Sequence, residues 1–381
     1  MTGRGRALLI IALGSLYSGL SLGGRMFYLA AIFAFLAMAF SLITVLIARK
    51  SLQFSCAARP ARILRGEKAL LHITARGRLP LPISALQLNL RVGEETREAQ
   101  LTLSRGAAAL DLEIPARHIG EVPVGVEQAA YTDMLGLFRM RPRFPEGITP
   151  LLVLPRSFDV EPLRFFQSDE GRSQRSRNTE DLSSPEDTRA YRSGDALKRV
   201  HWKLTARKRE LIVRRFETPA PPDTLVLLDC TAPQESLRSD ETASLRDTLC
   251  ETALSVAEMQ ARSDIPVRMP LYGERAVEYA SDRSGGTGAL AEMLARQTFV
   301  GGTDFYRVLN LELRRLRRTG ATVIITSRLN AQVTEAITHI RRMGPSARVY
   351  YITHTPGAET DAPYVARLQQ ELVEVCYVTP A

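Results

Sequence analysis

The stretch YRSGDALKRVHWKLTARKRELIVRRFE, residues 191–217, is the most distinctive part of this chain. It holds the only tryptophan, Trp202, inside a dense cluster of arginines and lysines. Shortly after it comes Leu225-Val226-Leu227-Leu228, an apolar run that is followed by Asp229. Such a run is typical of a strand that is buried on both faces of a sheet. The stretch therefore marks the entrance to an α/β domain.

Apolar runs and amphipathic segments alternate from there to the end of the chain. Strands are predicted at 265–269, 321–326 and 347–352, and helices at 242–262, 303–318 and 331–343. Continuous apolar strands that alternate with helices indicate a mainly parallel sheet covered on both faces. We assign this α/β domain to residues 223–381.

On the N-terminal side of the stretch the pattern changes to short alternating segments, such as 69–74, 86–92 and 109–114. Alternation with a period of two, interrupted by turns, predicts a small antiparallel β-sandwich over residues 51–156. Residues 157–222 then form a linking segment. It consists of a polar, basic stretch at 158–186, expected to be an exposed and mobile loop, and of the Arg/Trp-rich stretch.

The N-terminus contains two apolar runs, 7–22 and 26–48, separated by a short break at 23–25. The second run exceeds the roughly 20 residues that cross a bilayer, and the first is slightly shorter. We predict a two-helix transmembrane hairpin over residues 1–50. A buried hairpin of a soluble protein is disfavoured, because the second run has no polar stripe to face water.

Positive charge flanks the hairpin on one side. Arg4 and Arg6 precede it, Arg25 lies between the runs, and four basic residues follow it: Arg49, Lys50, Arg59 and Arg62. The positive-inside rule therefore predicts a multi-pass protein of the cell membrane with both termini and the soluble domains in the cytoplasm. A cleaved signal peptide in place of the first helix is the alternative, and it would put the bulk of the chain outside.

Composition excludes several protein classes. The 381 residues carry 50 Lys and Arg against 41 Asp and Glu, a formal charge of +9 that suits an anionic membrane surface as well as a nucleic acid. The four cysteines have no zinc or disulfide spacing and are expected to be reduced. No Walker A loop, zinc-protease motif, nucleophile elbow or Rossmann glycine run appears.

The basic stretch resembles the segment that defines the bacterial domain of unknown function 58 family. The residues that carry the resemblance are Tyr191, Arg192, Gly194, Asp195, Arg199, His201, Trp202, Arg207, Arg214 and Glu217. Members of that family join a membrane anchor to a von Willebrand factor type A-like fold, so the resemblance implies this Rossmann-like architecture for residues 223–381. Residues 118–138 and 152–156 are also similar to the family. Met134 stands where the family has proline, and we expect a looser corner there.

The resemblance also implies a degenerate metal site at the carboxyl ends of the strands. Type A-like folds hold a divalent cation there, and Asp229, Thr231 and Thr303 match that site here. Pro233 offers no hydroxyl, and Thr326-Ser327-Arg328 lacks the usual second aspartate, so we expect no tight cofactor binding. Mg²⁺ binding remains an alternative if Asp304 supplies the missing carboxylate. In the other interpretation, Asp229 only caps a loop or the next helix.

The basic stretch itself has three interpretations. In the structural one, Asp195 caps a helix with Val200 and Leu204 on its inner face, Trp202 is a core anchor, and the arginines pair with nearby acids. In the second, the arginines recognise an anionic group. The third is nucleic-acid binding, which needs exposed aromatic residues on which bases can stack. Only Tyr191, Trp202 and Phe216 are available in this stretch, so we expect no nucleic-acid partner.

Catalysis is not expected of this chain. His201, Asp195 and Glu210 would be a possible acid–base group, but their spacing does not bring them together on a helix. A structural role for His201 is favoured.

Similar proteins are often encoded beside MoxR-type AAA+ ATPases and transglutaminase-like membrane proteins, which the resemblance implies as partners, together with membrane lipid. The leading hypothesis is a non-enzymatic, membrane-anchored adaptor protein. The alternative is a metal-dependent ligand-binding protein or hydrolase that uses the strand ends around Asp229.

Overall fold

The computed structural model describes residues 1–77, 86–103, 107–142, 147–163, 185–191, 200–216, 223–232, 238–281, 286–299, 304–316 and 319–380, with the backbone alone for 185–190 and 214–216. The chain divides into two compact units. The first is Met1–Arg156 with Ala291–Arg296, and the second is Ser157–Leu290 with Gln297–Ala381.

The first unit begins with two apolar helices, α1 (Gly3–Leu22) and α2 (Arg25–Ser51), which pack against each other. Gly23 ends α1 in the left-handed region with φ 64°, where glycine is favoured. Both helices are long and apolar enough to cross a membrane. Large apolar side chains on them are uncovered, and Phe33 is 76% exposed. This fits a membrane hairpin and disfavours a helix pair buried in a soluble protein.

Both ends of the hairpin are bonded to the β-structure that follows. The backbone N–H of Thr2 donates to the carbonyl of Leu137 at 2.9 Å, and the hydroxyl of Tyr131 donates to the carbonyl of Val45 at 3.0 Å. Gly5 lies so close to the carbonyl of Leu137 that any Cβ would collide with it. Residues near both ends of the helix pair therefore contact the same β-structure.

That β-structure consists of two sheets around one apolar core. The smaller sheet has the antiparallel order β1-β3-β6, and the larger has β2-β9-β7-β4-β5 with β8 beside β7. The predicted sandwich was purely antiparallel, which is wrong at one edge, where the three-residue β2 runs parallel to β9. The strands are β1 Leu52–Arg59, β2 Arg62–Leu64, β3 Lys68–Gly77, β4 Leu86–Val92, β5 Glu95–Leu101, β6 Ala107–Pro115, β7 Gly120–Thr132, β8 Arg139–Met140 and β9 Ile148–Leu154.

The corner after β7 is tight, and the looser corner expected from Met134 is wrong. Asp133 is buried, and its carboxylate accepts backbone N–H groups from Leu135 at 3.0 Å and from Phe138 at 2.7 Å. Two charge-assisted bonds of this kind close the turn without proline. Met134 itself is exposed.

The second unit is built on one six-stranded sheet with the order β14-β13-β12-β15-β16-β17. The sheet is mixed, because β14 at one edge is antiparallel while the other pairs are parallel. The elements of this part of the chain are β10 Pro185–Ala190, α3 Trp202–Lys208, β11 Ile212–Phe216, β12 Asp223–Leu228, α4 Ser239–Arg262, β13 Val267–Tyr272, β14 Ala276–Ala280, α5 Gly288–Ala295, α6 Phe305–Leu313, β15 Thr319–Thr326, α7 Ala331–Arg342, β16 Ser346–Ile352, α8 Ala362–Gln370 and β17 Glu374–Val378.

Helices cover both faces of this sheet, which explains its continuous apolar strands. Leu225 and Leu227 of β12 share one apolar cluster with residues of α6, α7 and α8. The alternate residues Val226 and Leu228 are equally buried and point to the opposite face, and α4 contacts β12 and three other strands of the sheet.

Three predicted elements differ from the structure. The helix predicted around Val200 is wrong, because Val200 forms a β-bridge with Val213 and the helix begins only at Trp202. The helix predicted over 303–318 is shorter, Phe305–Leu313. The predicted loop 158–186 ends in a strand, since β10 begins at Pro185 and pairs with β11, whereas 164–184 lie outside the described residues.

Candidate functional site

Asp229 lies at the carboxyl end of β12 and is 3% exposed. Its Oδ1 accepts the backbone N–H of Thr231 at 3.1 Å and the Thr231 hydroxyl at 2.6 Å. Its Oδ2 accepts the hydroxyl of Thr326 at 2.7 Å. Thr326 is the last residue of β15, the parallel neighbour of β12, so the pairing of the two strands brings these groups together.

Arg328 completes this cluster. Its guanidinium donates to the Thr231 hydroxyl, and its backbone N–H donates to the Thr326 hydroxyl at 3.1 Å. Each threonine hydroxyl thus donates to Asp229 and accepts from Arg328. The buried carboxylate is satisfied by a closed network, as a buried charge requires.

The described part of this site does not fit a divalent cation. A hard cation needs several free oxygen ligands, whereas both Asp229 oxygens are engaged and the Arg328 guanidinium bonds to the adjacent hydroxyl. Asp304 precedes α6, and its exposed carboxylate lies 3.6 Å from Nε of Arg307. Thr303 and Pro233 are outside the described residues. Among the residues that the structure describes, no group of three or more His, Cys, Asp or Glu side chains is placed to hold a metal ion.

Cys230 follows Asp229 and is also buried. Burial, and next the negative charge of Asp229, raise the pKa of its thiol to about 12. The thiol is therefore protonated at neutral pH. A nucleophilic role would need a depressed pKa, so this environment disfavours one.

The basic stretch forms a second, open site around α3. No residue of this helix is buried, and Trp202 is 63% exposed. The interpretation of Trp202 as a core anchor is therefore wrong: the helix begins at this residue, and its ring projects into solvent. Lys203 and Arg207 are exposed on the same helix.

Backbone and cap bonds hold α3 against β11. His201 is the N-cap, and its Nδ1 accepts the backbone N–H of Leu204 at 3.2 Å. The backbone N–H of His201 donates to the carbonyl of Ile212 at 2.8 Å, and that of Ile212 donates to the Thr205 hydroxyl at 3.1 Å. His201 thus has the structural role that its spacing favoured, and Glu210 is exposed.

The structure describes only some of the other residues that carry the family resemblance. The backbone N–H of Tyr191 donates to the carbonyl of Leu211 at 2.8 Å, which extends the β10–β11 pair, and Arg214 pairs with Thr188 in that ladder. Arg192, Gly194, Asp195, Arg199 and Glu217 lie outside the described residues.

The helix α3, the β10–β11 ladder and the Asp229 cluster all fall in one stretch of sequence that matches a known family. Residues 187–367 match the family described as "Protein of unknown function DUF58". Residues 187–367 are therefore called the DUF58 region. This region begins within β10 and ends within α8, so the hairpin and the two sheets of the first unit lie before it.

Comparison with other proteins adds no activity to the DUF58 region. No curated protein matches the chain. The likeness to solved structures is weak, as two of them illustrate. The alkylpurine DNA glycosylase AlkC of Pseudomonas fluorescens, bound to DNA containing an abasic site analogue, is 16% identical, with 35% of this chain and 41% of that chain covered and a TM-score of 0.20. Cwp6 from Clostridium difficile is 9% identical, with 86% and 53% covered and a TM-score of 0.14. The chain spans about half or less of the length of either structure.

The DUF58 region also holds a buried charge cluster that the sequence patterns did not predict. Glu312 is fully buried on α6 and accepts from Arg268 at 2.9 Å and from the Tyr272 hydroxyl at 2.6 Å. Burial, and next the bond to Glu312, raise the pKa of Tyr272 to about 12. In the sequence, the only indication of this cluster was that Glu312 stands among the apolar residues of α6. The cluster ties α6 to β13, a structural function.

Proposed function

We propose that the chain is a membrane-anchored, cytoplasm-facing adaptor, and that α3 with its exposed tryptophan is the surface that binds a protein partner. The single observation that carries this proposal is the 63% exposure of Trp202 on a helix that buries none of its residues. Exposed tryptophan and arginine are the residue types that contribute most to binding at protein interfaces.

The charge of α3 gives the expected chemistry of the partner. Lys203, Arg207 and Lys208 are exposed on this helix, and α3 contains no acidic residue. An acidic patch with an apolar pocket for the indole ring would complement it. A MoxR-type AAA+ ATPase, implied by the family resemblance, is the partner that we propose, with a transglutaminase-like membrane protein as a further component.

The order of the main sheet supports a von Willebrand factor type A-like fold. Numbered along the chain from β12, the strands lie in the order 3-2-1-4-5-6 with an antiparallel strand at one edge. This is a doubly wound arrangement, in which loops at the carboxyl ends of the strands form the usual binding surface. Fold alone does not give function, so the proposal relies on α3 and on the closed Asp229 cluster. That closed cluster supports a non-enzymatic function.

The test is capture of partners on the full chain, solubilised in mild detergent and incubated with lysate and detergent-solubilised membranes, once with ATP and once with ADP. The bait is compared with the double variant Trp202→Ala/Arg207→Gln. The matched control is Met343→Ala/Arg367→Gln, which removes an exposed apolar side chain and an exposed arginine elsewhere in the same unit.

We expect an AAA+ ATPase to be retained in a nucleotide-dependent manner by the wild type and by the control, and to be lost from the α3 variant. Equal retention by the two variants would exclude α3 as the binding surface. Absence of any ATPase from the folded wild-type bait would reject the proposed partner.

A further inference from the structure

A polar cavity of about 320 Å³ lies in the first unit, on the outer face of the larger sheet. Met1 is among its lining residues, and the polar and charged side chains that line it are Gln87, Asn89, Gln128, Arg139 and Arg141. The described residues that line it include two arginines and three amides but no carboxylate. The cavity is therefore suited to an anion with further hydrogen-bonding groups.

The strands explain why polar groups collect at this place. Leu86, Leu88 and Leu90 of β4 point into the core, so Gln87 and Asn89 point outward. In the neighbouring strand β7, Gln128 is the register partner of Asn89.

One arginine of the cavity is already oriented. The guanidinium of Arg139, at the start of β8, donates to Oε1 of Gln87 at 3.0 Å. Ala129 and Ala130 add only small side chains to the lining, which leaves room for a ligand. One bond of the Arg139 fork is used by Gln87, and the exposed Arg141 adds a second cation.

The cavity lies beside the end of a membrane-spanning candidate. Met1 lines it, and the next residue, Thr2, is bonded to the corner that precedes β8 and is the N-cap of α1. Met134 and Leu135, on the same corner, are 73% and 50% exposed. Exposed apolar side chains next to a cationic cavity are typical of a surface that meets the interfacial region of a bilayer.

We propose that this cavity binds the phosphate headgroup of an anionic phospholipid, such as phosphatidylglycerol. Guanidinium forks bind phosphate oxygens with two hydrogen bonds, and the amides suit the hydroxyl and ester groups of a glycerol headgroup. The inference rests on the membrane anchorage in the proposed function and is independent of the protein partner. A soluble glycerol phosphate has the same chemistry, and the experiment separates the two sources.

The test measures lipid binding to the full chain in mild detergent by native mass spectrometry, with phosphatidylglycerol, phosphatidylcholine or glycerol phosphate added. The pocket variant is Arg139→Gln/Arg141→Gln. The control is Arg97→Gln/Arg117→Gln, which removes the same charge near Glu95, at the β4–β5 turn of the same sandwich. A third variant, Gln128→Lys, adds a cation to the lining.

We expect the wild type and the control to prefer phosphatidylglycerol over phosphatidylcholine. The pocket variant should bind phosphatidylglycerol about tenfold more weakly, the usual scale for loss of a charged hydrogen bond. Gln128→Lys should bind it more tightly, which a folding defect cannot imitate. Equal affinity of the pocket and control variants would overturn the proposal. Displacement of the lipid by glycerol phosphate at similar concentration would overturn the lipid as the ligand.

Membrane fractionation with an alkaline wash separates this inference from the anchorage on which it depends. A chain released from membranes by the wash would refute the anchorage. A chain that stays in the membrane and shows no preference for phosphatidylglycerol would refute the cavity alone.

Discussion

Trp202 is the residue that most directly separates a binding surface from a structural anchor. Because its side chain is 63% exposed, we expect Trp202→Ala to change the free energy of unfolding by less than about 0.5 kcal/mol. The control is Leu227→Ala in the fully buried strand β12, for which we expect a loss of about 2–5 kcal/mol. Urea unfolding of both variants measures the difference. A Trp202→Ala variant as unstable as the control would restore the core-anchor interpretation.

Asp229 is expected to stabilise the strand ends without a metal. Replacing it by alanine leaves the Thr231 hydroxyl without its acceptor, leaves the Thr326 hydroxyl only the carbonyl of Arg328 at 3.0 Å, and removes the charge that balances Arg328. We expect Asp229→Ala to lower the free energy of unfolding by about 1–3 kcal/mol. Calorimetric titration of the wild type with magnesium or manganese should show no micromolar binding. Micromolar binding that Asp229→Ala abolishes would instead favour the metal-dependent alternative.

The cysteines are expected to react in two classes. Burial raises the pKa of Cys230 to about 12 and that of Cys250 well above its usual value, so at neutral pH both thiols are protonated as well as shielded. Cys56 and Cys376 are half-buried. At neutral pH, iodoacetamide should therefore modify Cys56 and Cys376 first, and Cys230 and Cys250 only on unfolding. Peptide mapping after timed alkylation measures the order, and early modification of Cys230 would contradict the described environment.

At the scale of elements, Arg348 fastens the start of the second unit to its sheet. This side chain of β16 is 2% exposed and donates to the carbonyls of Glu161 at 2.6 Å and Pro162 at 3.1 Å and to the carboxylate of Glu374 at 2.8 Å. The segment at 157–163 has no strand or helix of its own. The buried guanidinium thus holds this segment to the sheet, together with the backbone N–H of Phe158, which donates to the Ser255 hydroxyl of α4 at 2.9 Å.

We expect Arg348→Met to lower the free energy of unfolding by about 2–3 kcal/mol, because two carbonyls and a partly buried carboxylate lose their partner. Trypsin should also cleave faster after Arg156. The control is Arg342→Met, which removes an exposed ion pair with Glu371 and should cost less than about 1 kcal/mol. Equal proteolysis of the two variants would show that Arg348 does not hold the segment.

The central strands of the second unit could be predicted from sequence because their apolar runs are uninterrupted. The peripheral elements could not, since the edge strand β14 pairs with β13 alone and exposes four of its five residues, with only Tyr279 buried. The helix predicted through Val200 failed because Val200, His201 and Leu204 have helical spacing, while the β-bridge to Val213 draws Val200 into a ladder. A tertiary contact overrode the local pattern there.

The Asp229 cluster could also be predicted only in part. The apolar runs predict that Asp229 and Thr326 each end a buried parallel strand, but that β12 and β15 are neighbours is seen only in the structure. The contact of the Arg328 guanidinium with Thr231 depends on a loop conformation that no periodicity encodes. The proposed lipid cavity was missed because its residues come from β4, β7, the region of β8 and the N-terminus, which lie apart in sequence and carry no motif.

At the scale of the whole molecule, the hairpin determines on which side of a membrane the DUF58 region works. Thr2 and Val45, near the two ends of the hairpin, are bonded to the same two-sheet unit, so a membrane that the helices cross leaves that unit on one side. Arg4, Arg6, Arg49 and Lys50 lie on that side, and only Arg25 lies at the turn. The positive-inside rule then predicts that this side is cytoplasmic.

A reporter fused after Ala381 tests this orientation in a bacterial host. We expect a fluorescent protein that matures only in the cytoplasm to be active and alkaline phosphatase, active only in the periplasm, to be inactive. Replacing Arg4, Arg6, Arg49 and Lys50 by glutamine removes the basic residues next to the helix ends on that side and leaves Arg59 and Arg62 further along the chain, so this variant should give a mixed pattern. Arg97→Gln/Arg117→Gln, which removes charge from the sandwich far along the chain from the hairpin, should behave as wild type. Phosphatase activity in the wild type would place α3 outside the cytoplasm, where an ATP-driven partner cannot reach it, and would reject the adaptor function together with the orientation.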